Sequence, residues 1–216
     1  MKSVLITGGT VRLGKAIAER LRAEGWRVIT SSHRADAGAD IVADLAEPMG
    51  PARLYAAALQ LLDGTPPDAL VNNAALFTGD EAAIRAVNLE APKKLTMMMA
   101  GREAGVGAVV NVLDAKALDG NRQPSTAADS YRSSKQALAE FTKTSAATFA
   151  ATLRVNGVAP GPVMAPTDVH EKAGEMLLDR RPTADDVAAA VSYLLSAEAV
   201  TGVIIPVDAG QHLIEG

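Results

Sequence analysis

The sequence predicts an α/β fold, in which a doubly wound parallel sheet of about seven strands carries helices on both faces. Three observations predict it. Short apolar runs rich in β-branched residues alternate with longer helical patterns. A glycine-rich turn, Thr7-Gly8-Gly9-Thr10-Val11-Arg12-Leu13-Gly14, follows the first apolar run. Later in the chain, Tyr131 and Lys135 stand four residues apart in a helical pattern, which places them on one face of a helix.

Each strand is predicted from a short apolar run bounded by turn residues. The seven runs lie at Ser3–Thr7, 27–31, 40–43, Ala69–Asn72, 108–113, 153–158 and 203–207. Apolar residues at helical spacing predict five helices between them, at 13 to the stop at Gly25, 51–62, 80–103, 131–151 and 183–196. Pro51 suits a first helical turn, and a Thr-x-x-Asp start at Thr183 suits a capping box.

Composition limits the class of protein. With 216 residues, 48% of them hydrophobic, the chain can bury one substantial core, and we expect a single domain over residues 1–216. A net charge of −4 argues against nucleic acid as a partner. There is no cysteine and the three histidines are scattered, so no metal site is expected. Without a membrane-length apolar run or a signal-peptide layout, we expect a cytoplasmic protein that binds no membrane.

The glycine-rich turn predicts a site for the pyrophosphate of a dinucleotide. A strand running into Thr7 and Gly8, with Gly14 opening a helix, lets backbone amides and the helix N-terminus meet a phosphate. The usual nucleotide-binding spacing has a glycine where Arg12 stands, and an arginine there suits an anion such as phosphate. Leu13 belongs to the same predicted cofactor turn. The alternative is a glycine-rich turn that holds no ligand.

The end of the second predicted strand indicates which dinucleotide is bound. A protein built for NAD often places an acidic residue there for the ribose 2′-hydroxyl. This chain has hydroxyl residues followed by His33 and Arg34, which suit a 2′-phosphate and favour NADPH; the alternative is that both are ordinary loop residues. Asp44-Leu45, after the third strand, can supply an adenine contact. Asn73-Ala74, after the fourth, is expected to brace the sheet edge beside the cofactor.

Together these motifs resemble the short-chain dehydrogenase/reductase family over essentially the whole chain. The matching motifs are the turn at 7–14, Asp44-Leu45, Asn72-Asn73-Ala74, Val87-Asn88-Leu89, Tyr131-x-x-x-Lys135, Arg154-Val155-Asn156 and Pro160-Gly161. The resemblance implies a Rossmann-like fold, a reductase, a homotetramer or homodimer, and a cofactor site that includes Pro160 and Gly161. Arg12, the His33-Arg34 pair and Asp114 resemble one branch, the pteridine reductases and related dihydropterin reductases.

The Tyr131/Lys135 pair predicts the catalytic acid. A tyrosine is too weak an acid–base unless its pKa falls, and a nearby ammonium lowers it. Lys135, one helical turn beyond Tyr131, can do this and can also bond the nicotinamide ribose. The resemblance implies these roles, with Asn88 holding a water that links Lys135 to solvent. The alternative for Asn88 is a helix residue that bonds backbone.

Asp114 is the chief departure from the general family, which carries a serine there to hold a substrate carbonyl. Three interpretations stay open: an inactive protein, a pterin reductase, or a carbonyl reductase that uses a hydroxyl of Ser125, Thr126 or Ser130. A carboxyl group suits a pterin, because a ring nitrogen needs a proton as hydride reaches the adjacent carbon. The pteridine reductases have an aspartate here that works with the tyrosine, so a pterin is favoured.

Phe77 supports a pterin substrate. It lies four residues after Asn73, where the pteridine reductases place an aromatic that sandwiches the substrate ring against nicotinamide. Arg12 would then touch both cofactor phosphate and pterin; the alternative is a Phe77 ring that packs beneath its loop. The chain departs from that branch where Ala75 replaces a serine, in an insertion at 119–129, and in the short stretches from Asn73 to Asn88 and after Pro160-Gly161. The rival from another class is a protein that binds NADPH without turnover.

Overall fold

The computed structural model describes residues 1–102, 105–118, 127–163 and 176–214, without the side chains of residues 117 and 127–129. Within those ranges, seven strands form one sheet: β1 Ser3–Thr7, β2 Arg27–Ser32, β3 Ile41–Val42, β4 Ala69–Asn72, β5 Gly107–Val112, β6 Leu153–Pro160 and β7 Ile204–Val207. Their order is β3-β2-β1-β4-β5-β6-β7, and every neighbouring pair is parallel. The predicted α/β, Rossmann-like architecture is confirmed.

The strand bounds lie within two residues of the predicted ones. Strand β3 is half as long as predicted, because four residues were expected and two pair with β2. Asp40 lies outside the strand, where its Oδ2 accepts hydrogen bonds from the amide and the hydroxyl of Thr30, at 2.7 and 2.8 Å. A carboxylate that turns back onto β2 in this way leaves β3 short.

Six α-helices flank the described part of the sheet: α1 Arg12–Ala23, α2 Gly50–Leu61, α3 Glu81–Arg85, α4 Ala91–Ala100, α5 Ala127–Thr148 and α6 Ala184–Ser196. The long helix predicted over 80–103 is divided, because one π-helical turn, Ala86–Glu90, separates α3 from α4. Pro92 has no amide hydrogen, so the regular hydrogen-bond ladder cannot run through Asn88, four residues before it.

The starts of the last two helices have local causes. Helix α5 begins four residues before the predicted start, at Ala127 rather than 131, since the alanines there extend it at little cost. Helix α6 begins after Thr183, whose hydroxyl accepts from the Asp186 amide at 3.2 Å. The Asp186 carboxylate in turn accepts from the Thr183 amide at 2.8 Å. The predicted capping box is confirmed.

The core lies on both faces of the sheet. Successive strand residues face opposite sides, so Val4 and Ile6 of β1 are buried against α1 and α6. Leu5, between them, is buried on the other face with Leu54 of α2 and Leu95 of α4. Strands covered on both faces need apolar residues at every position, which explains the near-continuous apolar runs in the sequence.

The strand order changes direction between β1 and β4. From β1 the chain proceeds outward to β2 and β3, and it then returns to fill the other half of the sheet from β4 to β7. In open parallel sheets, a crevice forms at the carboxyl ends of the two strands at this switch, and ligands bind there. Thr7 ends β1 and Asn72 ends β4, so the glycine-rich turn and Asn73-Ala74 lie at this crevice.

Candidate active site

The turn between β1 and α1 is braced by the segment after β4. The Thr7 hydroxyl accepts hydrogen bonds from the amides of Asn73 and Ala74, both at 3.0 Å. The Asn73 side-chain amide donates to the carbonyls of Thr7 and Gly8, also at 3.0 Å. These bonds hold the two carboxyl-terminal ends of the strands in a fixed relation across the crevice. The bracing expected of Asn73-Ala74 therefore has a defined geometry.

The glycines of this turn meet a steric need. Gly8 has a φ of +63°, in the left-handed region that glycine adopts without penalty. A Cβ at Gly14 would lie 2.0 Å from the Gly8 carbonyl oxygen, so no other residue fits there without moving the backbone. The first amides of α1 have no partner within their own helix and are the natural contacts of an anion. The turn thus fits a dinucleotide pyrophosphate.

Arg12 occupies the left-handed region as well, with a φ of +49°. A non-glycine residue there costs about 1–2 kcal/mol, so the turn keeps the backbone of the usual glycine while presenting a guanidinium. The Arg12 side chain is exposed at the first position of α1. Leu13 packs against the core instead, so a cofactor contact from it can come from its main chain.

The residues expected to select the cofactor lie after β2. His33 and Arg34 are both exposed. Arg34 is engaged with Asp36, its Nε donating to Oδ1 at 3.0 Å and its Nη2 to Oδ2 at 2.8 Å. Asp36 was not among the predicted site residues, although it stands only two residues after Arg34.

The remaining predicted cofactor residues lie along the same edge. Asp44 is exposed, and its carboxylate accepts from the Ala46 amide at 2.8 Å. The Leu45 side chain is buried in the core, so an adenine contact from it must use main-chain atoms. Pro160 ends β6 and is followed by Gly161, whose amide donates to the Val207 carbonyl at 2.9 Å.

Tyr131 and Asp114 are brought together at the carboxyl end of β5. The Tyr131 hydroxyl donates to Asp114 Oδ2 at 3.1 Å, although 17 positions separate the two residues. The other carboxylate oxygen, Oδ1, accepts from the Lys116 amide at 2.9 Å, which fixes the orientation of the carboxylate. A phenol and a carboxylate that share one proton form a unit able to donate it.

Lys135 is buried beside this pair. Its Nζ donates to the Val112 carbonyl at 2.7 Å and lies 5.8 Å from the centre of the Tyr131 ring. The side chain is 2% exposed, so the ammonium has exchanged water for one carbonyl and nearby aromatic and carboxylate groups. Burial lowers the pKa of Lys135 to about 8, against an opposing effect from the Asp114 charge.

The pKa of Tyr131 differs from the sequence-based expectation. Burial raises it well above its usual value, and the charge and hydrogen bond of Asp114 raise it further. Lys135 was expected to lower it, but the Lys135 ammonium is directed at Val112 while Asp114 contacts the phenol oxygen itself. The proton therefore stays on Tyr131 at neutral pH, as a proton donor requires.

Asn88 lies in the π-helical turn and is completely buried. Its Oδ1 accepts from the Leu76 amide at 2.8 Å, and its Nδ2 donates to the Leu76 carbonyl at 2.9 Å and to the Ser134 hydroxyl at 3.1 Å. Ser134 in turn donates to the Tyr131 carbonyl at 2.6 Å. The side chain of Asn88 thus ties the loop after β4 to the helix of Tyr131.

Phe77 follows that pinned loop position. Its ring centre lies 4.9 Å from that of Tyr131 with an interplanar angle of 60°, and the side chain is 55% exposed. Phe77 therefore lies at the mouth of the site rather than beneath its loop. Ala75 is exposed nearby and offers no hydroxyl. Of the alternative hydroxyls, Ser130 is in α5, and Ser125 and Thr126 lie outside the described residues, as does most of the insertion at 119–129.

Two polar features were missed in the sequence. Buried Asn72, Asn111 and Thr142 form a chain of side-chain hydrogen bonds across β4, β5 and α5, at 2.8 and 2.9 Å. Beyond β7, buried Asp208 accepts from the amide of His212 at 2.7 Å and contacts its Nδ1 at 2.8 Å. This pair borders a cavity of about 300 Å³ that none of the described catalytic residues lines. Neither set of contacts could be deduced from the sequence: the first joins elements that are far apart in the chain, and the second, although its residues are only four apart, depends on the turn after β7.

The described residues contain no group of three or more histidine, aspartate or glutamate side chains placed to hold a metal ion. None of the helices formed by these residues is long and apolar enough to cross a bilayer.

Comparison with known proteins adds the family context. A family model described as short chain dehydrogenase matches residues 2–177. Protein FixR of Bradyrhizobium diazoefficiens is 31% identical, over 98% of this chain and 87% of its own length. Glucose 1-dehydrogenase 2 of Bacillus subtilis is 29% identical, over 98% and 95%. Pteridine reductase 1 of Leishmania tarentolae is 28% identical, over 97% and 96%.

A solved structure is similar over the same span. FolM alternative dihydrofolate reductase 1 from Brucella canis, complexed with NADP, is 32% identical and has a TM-score of 0.85, covering 99% of this chain and 95% of that chain. The similarity therefore extends beyond the glycine-rich turn to every strand and helix described above.

Proposed function

The chain belongs to the short chain dehydrogenase family, and we propose that it passes hydride from NADPH to a pterin. Family membership makes the protein an oxidoreductase with a nicotinamide cofactor, and the similar FolM structure holds NADP. The cradle formed by Gly8, Gly14 and the start of α1 fits such a cofactor. Family membership does not specify the substrate, and the pterin is our proposal for it.

The hydrogen bond between Tyr131 and Asp114 carries the proposal. A general carbonyl reductase needs a neutral hydroxyl at position 114 to hold a carbonyl oxygen. A carboxylate in that place repels the negative charge that develops on a carbonyl oxygen during hydride transfer. It suits a substrate whose ring nitrogen takes up a proton, because that nitrogen becomes a donor to the carboxylate.

The residues of this chain divide the work as follows. When bound, the cofactor supplies the hydride. Tyr131, kept protonated by burial and by Asp114, delivers a proton to the ring nitrogen next to the reduced carbon. Asp114 accepts a hydrogen bond from the resulting N–H. The Lys135 ammonium stabilises the phenolate that Tyr131 becomes on losing its proton. Arg12 holds a cofactor phosphate and the edge of the pterin.

Phe77 supports the same substrate class. Its exposed ring at the mouth of the site offers a flat apolar face to a bicyclic heteroaromatic. Asn88 bonds both main-chain groups of Leu76, the residue before Phe77, and this helps to hold the Phe77 ring beside that of Tyr131. The pteridine reductase among the relatives is in keeping with this assignment.

NADPH oxidation by the purified protein tests the proposal. We expect turnover with dihydrobiopterin, dihydromonapterin or dihydrofolate, and slower turnover with NADH. Turnover with a simple quinone or ketone alone would reject the pterin and leave a carbonyl reductase, the second candidate, which the glucose dehydrogenase among the relatives favours. Tight cofactor binding with no turnover on either panel would indicate a protein that binds NADPH without catalysis.

The proposal also covers organisation. We assign residues 1–216 to a single reductase domain, which the continuous seven-stranded sheet supports within the described residues. We place this domain in the cytoplasm, as a homotetramer or homodimer that acts on a small molecule rather than on nucleic acid or a membrane.

A further inference from the structure

We infer that Asp36 sets the preference between NADPH and NADH, by competing with the 2′-phosphate of the cofactor for Arg34. The inference rests on the proposed use of a dinucleotide at the β1–α1 turn. Asp36 would thereby control cofactor selectivity although its carboxylate does not itself bind the cofactor.

The contact between the two residues is a two-pronged one. Arg34 Nε donates to Asp36 Oδ1 at 3.0 Å and Nη2 donates to Oδ2 at 2.8 Å. The planar fork of the guanidinium is therefore matched by the carboxylate in the way that it would match two phosphate oxygens. Asp36 and Arg34 hold each other charged, which raises the pKa of the arginine and lowers that of the aspartate.

The pair lies where the adenine ribose is expected. Strand β2 pairs with β1 in parallel, with Ser31 opposite Thr7, and the Gly9 amide donates to the Ser31 carbonyl at 3.2 Å. The end of β2 is therefore beside the phosphate cradle. In sheets of this order, the residue that discriminates the ribose 2′ position follows this strand. The Arg34 backbone is held next to the end of β2, because its amide donates to the Ser32 hydroxyl at 3.1 Å.

The competition is possible because the pair is exposed. Both side chains are more than half exposed, at 62% and 70%, and an ion pair in water contributes little to stability. A 2′-phosphate carries more charge than a carboxylate and can displace it from the guanidinium. With a 2′-hydroxyl, Arg34 stays on Asp36. Asp40, the next acidic residue after Asp36 in the sequence, is engaged with Thr30.

Calorimetric binding of 2′,5′-ADP and of ADP separates this role from catalysis. We expect Asp36→Asn to tighten 2′,5′-ADP by about three- to fivefold, the range that loss of an exposed ion pair allows, and to leave ADP nearly unchanged. Asp63→Asn is the matched control. It makes the same change of charge beyond the end of α2, where a φ of +54° suits asparagine, and it should alter neither ligand.

A second background distinguishes competition from simple repulsion. In Arg34→Gln protein, Asp36→Asn should have no effect on 2′,5′-ADP, because there is no guanidinium to release. An equal gain in both backgrounds, an equal gain for both ligands, or no gain would overturn the inference. The preference of the unaltered protein for 2′,5′-ADP over ADP tests the proposed NADPH use separately, since the inference requires only that Asp36→Asn shift that preference toward the phosphate.

Discussion

At the scale of single residues, the chemistry depends on where one proton resides. Burial and the carboxylate of Asp114 both favour the neutral phenol of Tyr131. The same burial acts in the opposite direction on the charge of Lys135. Tyr131 is therefore a neutral acid that can give up its proton. The Lys135 ammonium, whose charge is destabilised by burial, then lies near the phenolate and is stabilised by its negative charge.

Replacement of Tyr131 by phenylalanine tests this arrangement. We expect NADPH oxidation to fall by about 10²–10⁴-fold, the usual loss on removing a general acid, while cofactor affinity stays within a few-fold. Tyr193→Phe removes a hydroxyl from a side chain on α6 that is 56% exposed, and it should leave the rate unchanged. Turnover that survives in Tyr131→Phe protein would reject the phenol as the proton donor.

The buried charge of Lys135 is expected to make the free energy of unfolding depend on pH. Folding lowers its pKa from 10.5 to about 8, so between these values the unfolded chain holds a proton that the folded protein has lost. The free energy of unfolding therefore rises with pH across this window, and below about pH 8 the buried charge costs up to about 3 kcal/mol. Urea unfolding should show Lys135→Met to be more stable than the unaltered protein at pH 7, with an advantage that shrinks from pH 8 to 10.5.

A lysine on the same helix provides the control. Lys143 is 57% exposed and pairs with Glu140 at 3.6 Å, so Lys143→Met should change stability little at any pH. If Lys135→Met were no more stable than the unaltered protein at pH 7, the ammonium would not be carrying a burial penalty.

At the scale of elements, the turn between β1 and α1 is the most constrained part of the site. A Cβ at Gly14 would meet the Gly8 carbonyl at 2.0 Å and the Asn73 side-chain amide at 2.5 Å. We expect Gly14→Ala to lower the free energy of unfolding by about 1–3 kcal/mol or more, and to abolish measurable binding of 2′,5′-ADP. Gly101→Ala, where the nearest atom is 3.5 Å away, should be neutral in both measurements. Normal ligand binding by Gly14→Ala protein would mean that the cradle lies elsewhere.

Elements differ in how far the sequence predicts them. The strands of the central sheet were predictable because burial on both faces requires continuous apolar residues, as in Ser3–Thr7. The π-helical turn at Asn88 was not, since helical periodicity averages over a single widened turn and the effect of Pro92 is felt only within the ladder. The Arg34–Asp36 pair was visible as a spacing but not as a contact, because side-chain direction in a turn cannot be deduced from sequence order.

At the scale of the whole molecule, one edge of the sheet gathers everything that the proposed reaction needs. Parallel strands end on the same side, so residues from β1, β2, β4, β5 and β6 converge there although they are far apart in the sequence. The sequence predicted part of that convergence, because the glycine-rich turn at 7–14, Asn73-Ala74 and Asp114 each follow a predicted strand. The proton-sharing geometry could not be predicted, since it depends on a hydrogen bond between β5 and α5.

The sheet also has an uncovered edge, which is strand β7. Strand β7 has no neighbour beyond it among the described strands, and its four apolar residues are each only half-buried. Tyr193 of α6 and Val203, before β7, add exposed apolar surface at 56% and 39%. Such surface suits contact with a second copy of the chain, in keeping with the proposed homodimer or homotetramer.

Light scattering after gel filtration tests this assembly at micromolar concentration. We expect the unaltered protein to have at least a dimeric mass and Tyr193→Glu to shift it to a smaller species, because a buried unpaired charge in an interface raises the dissociation constant by tenfold or more. Val106→Glu places the same charge on another exposed apolar residue, 59% exposed before β5, and should leave the mass unchanged. A monomeric mass for the unaltered protein would contradict the proposed homodimer or homotetramer.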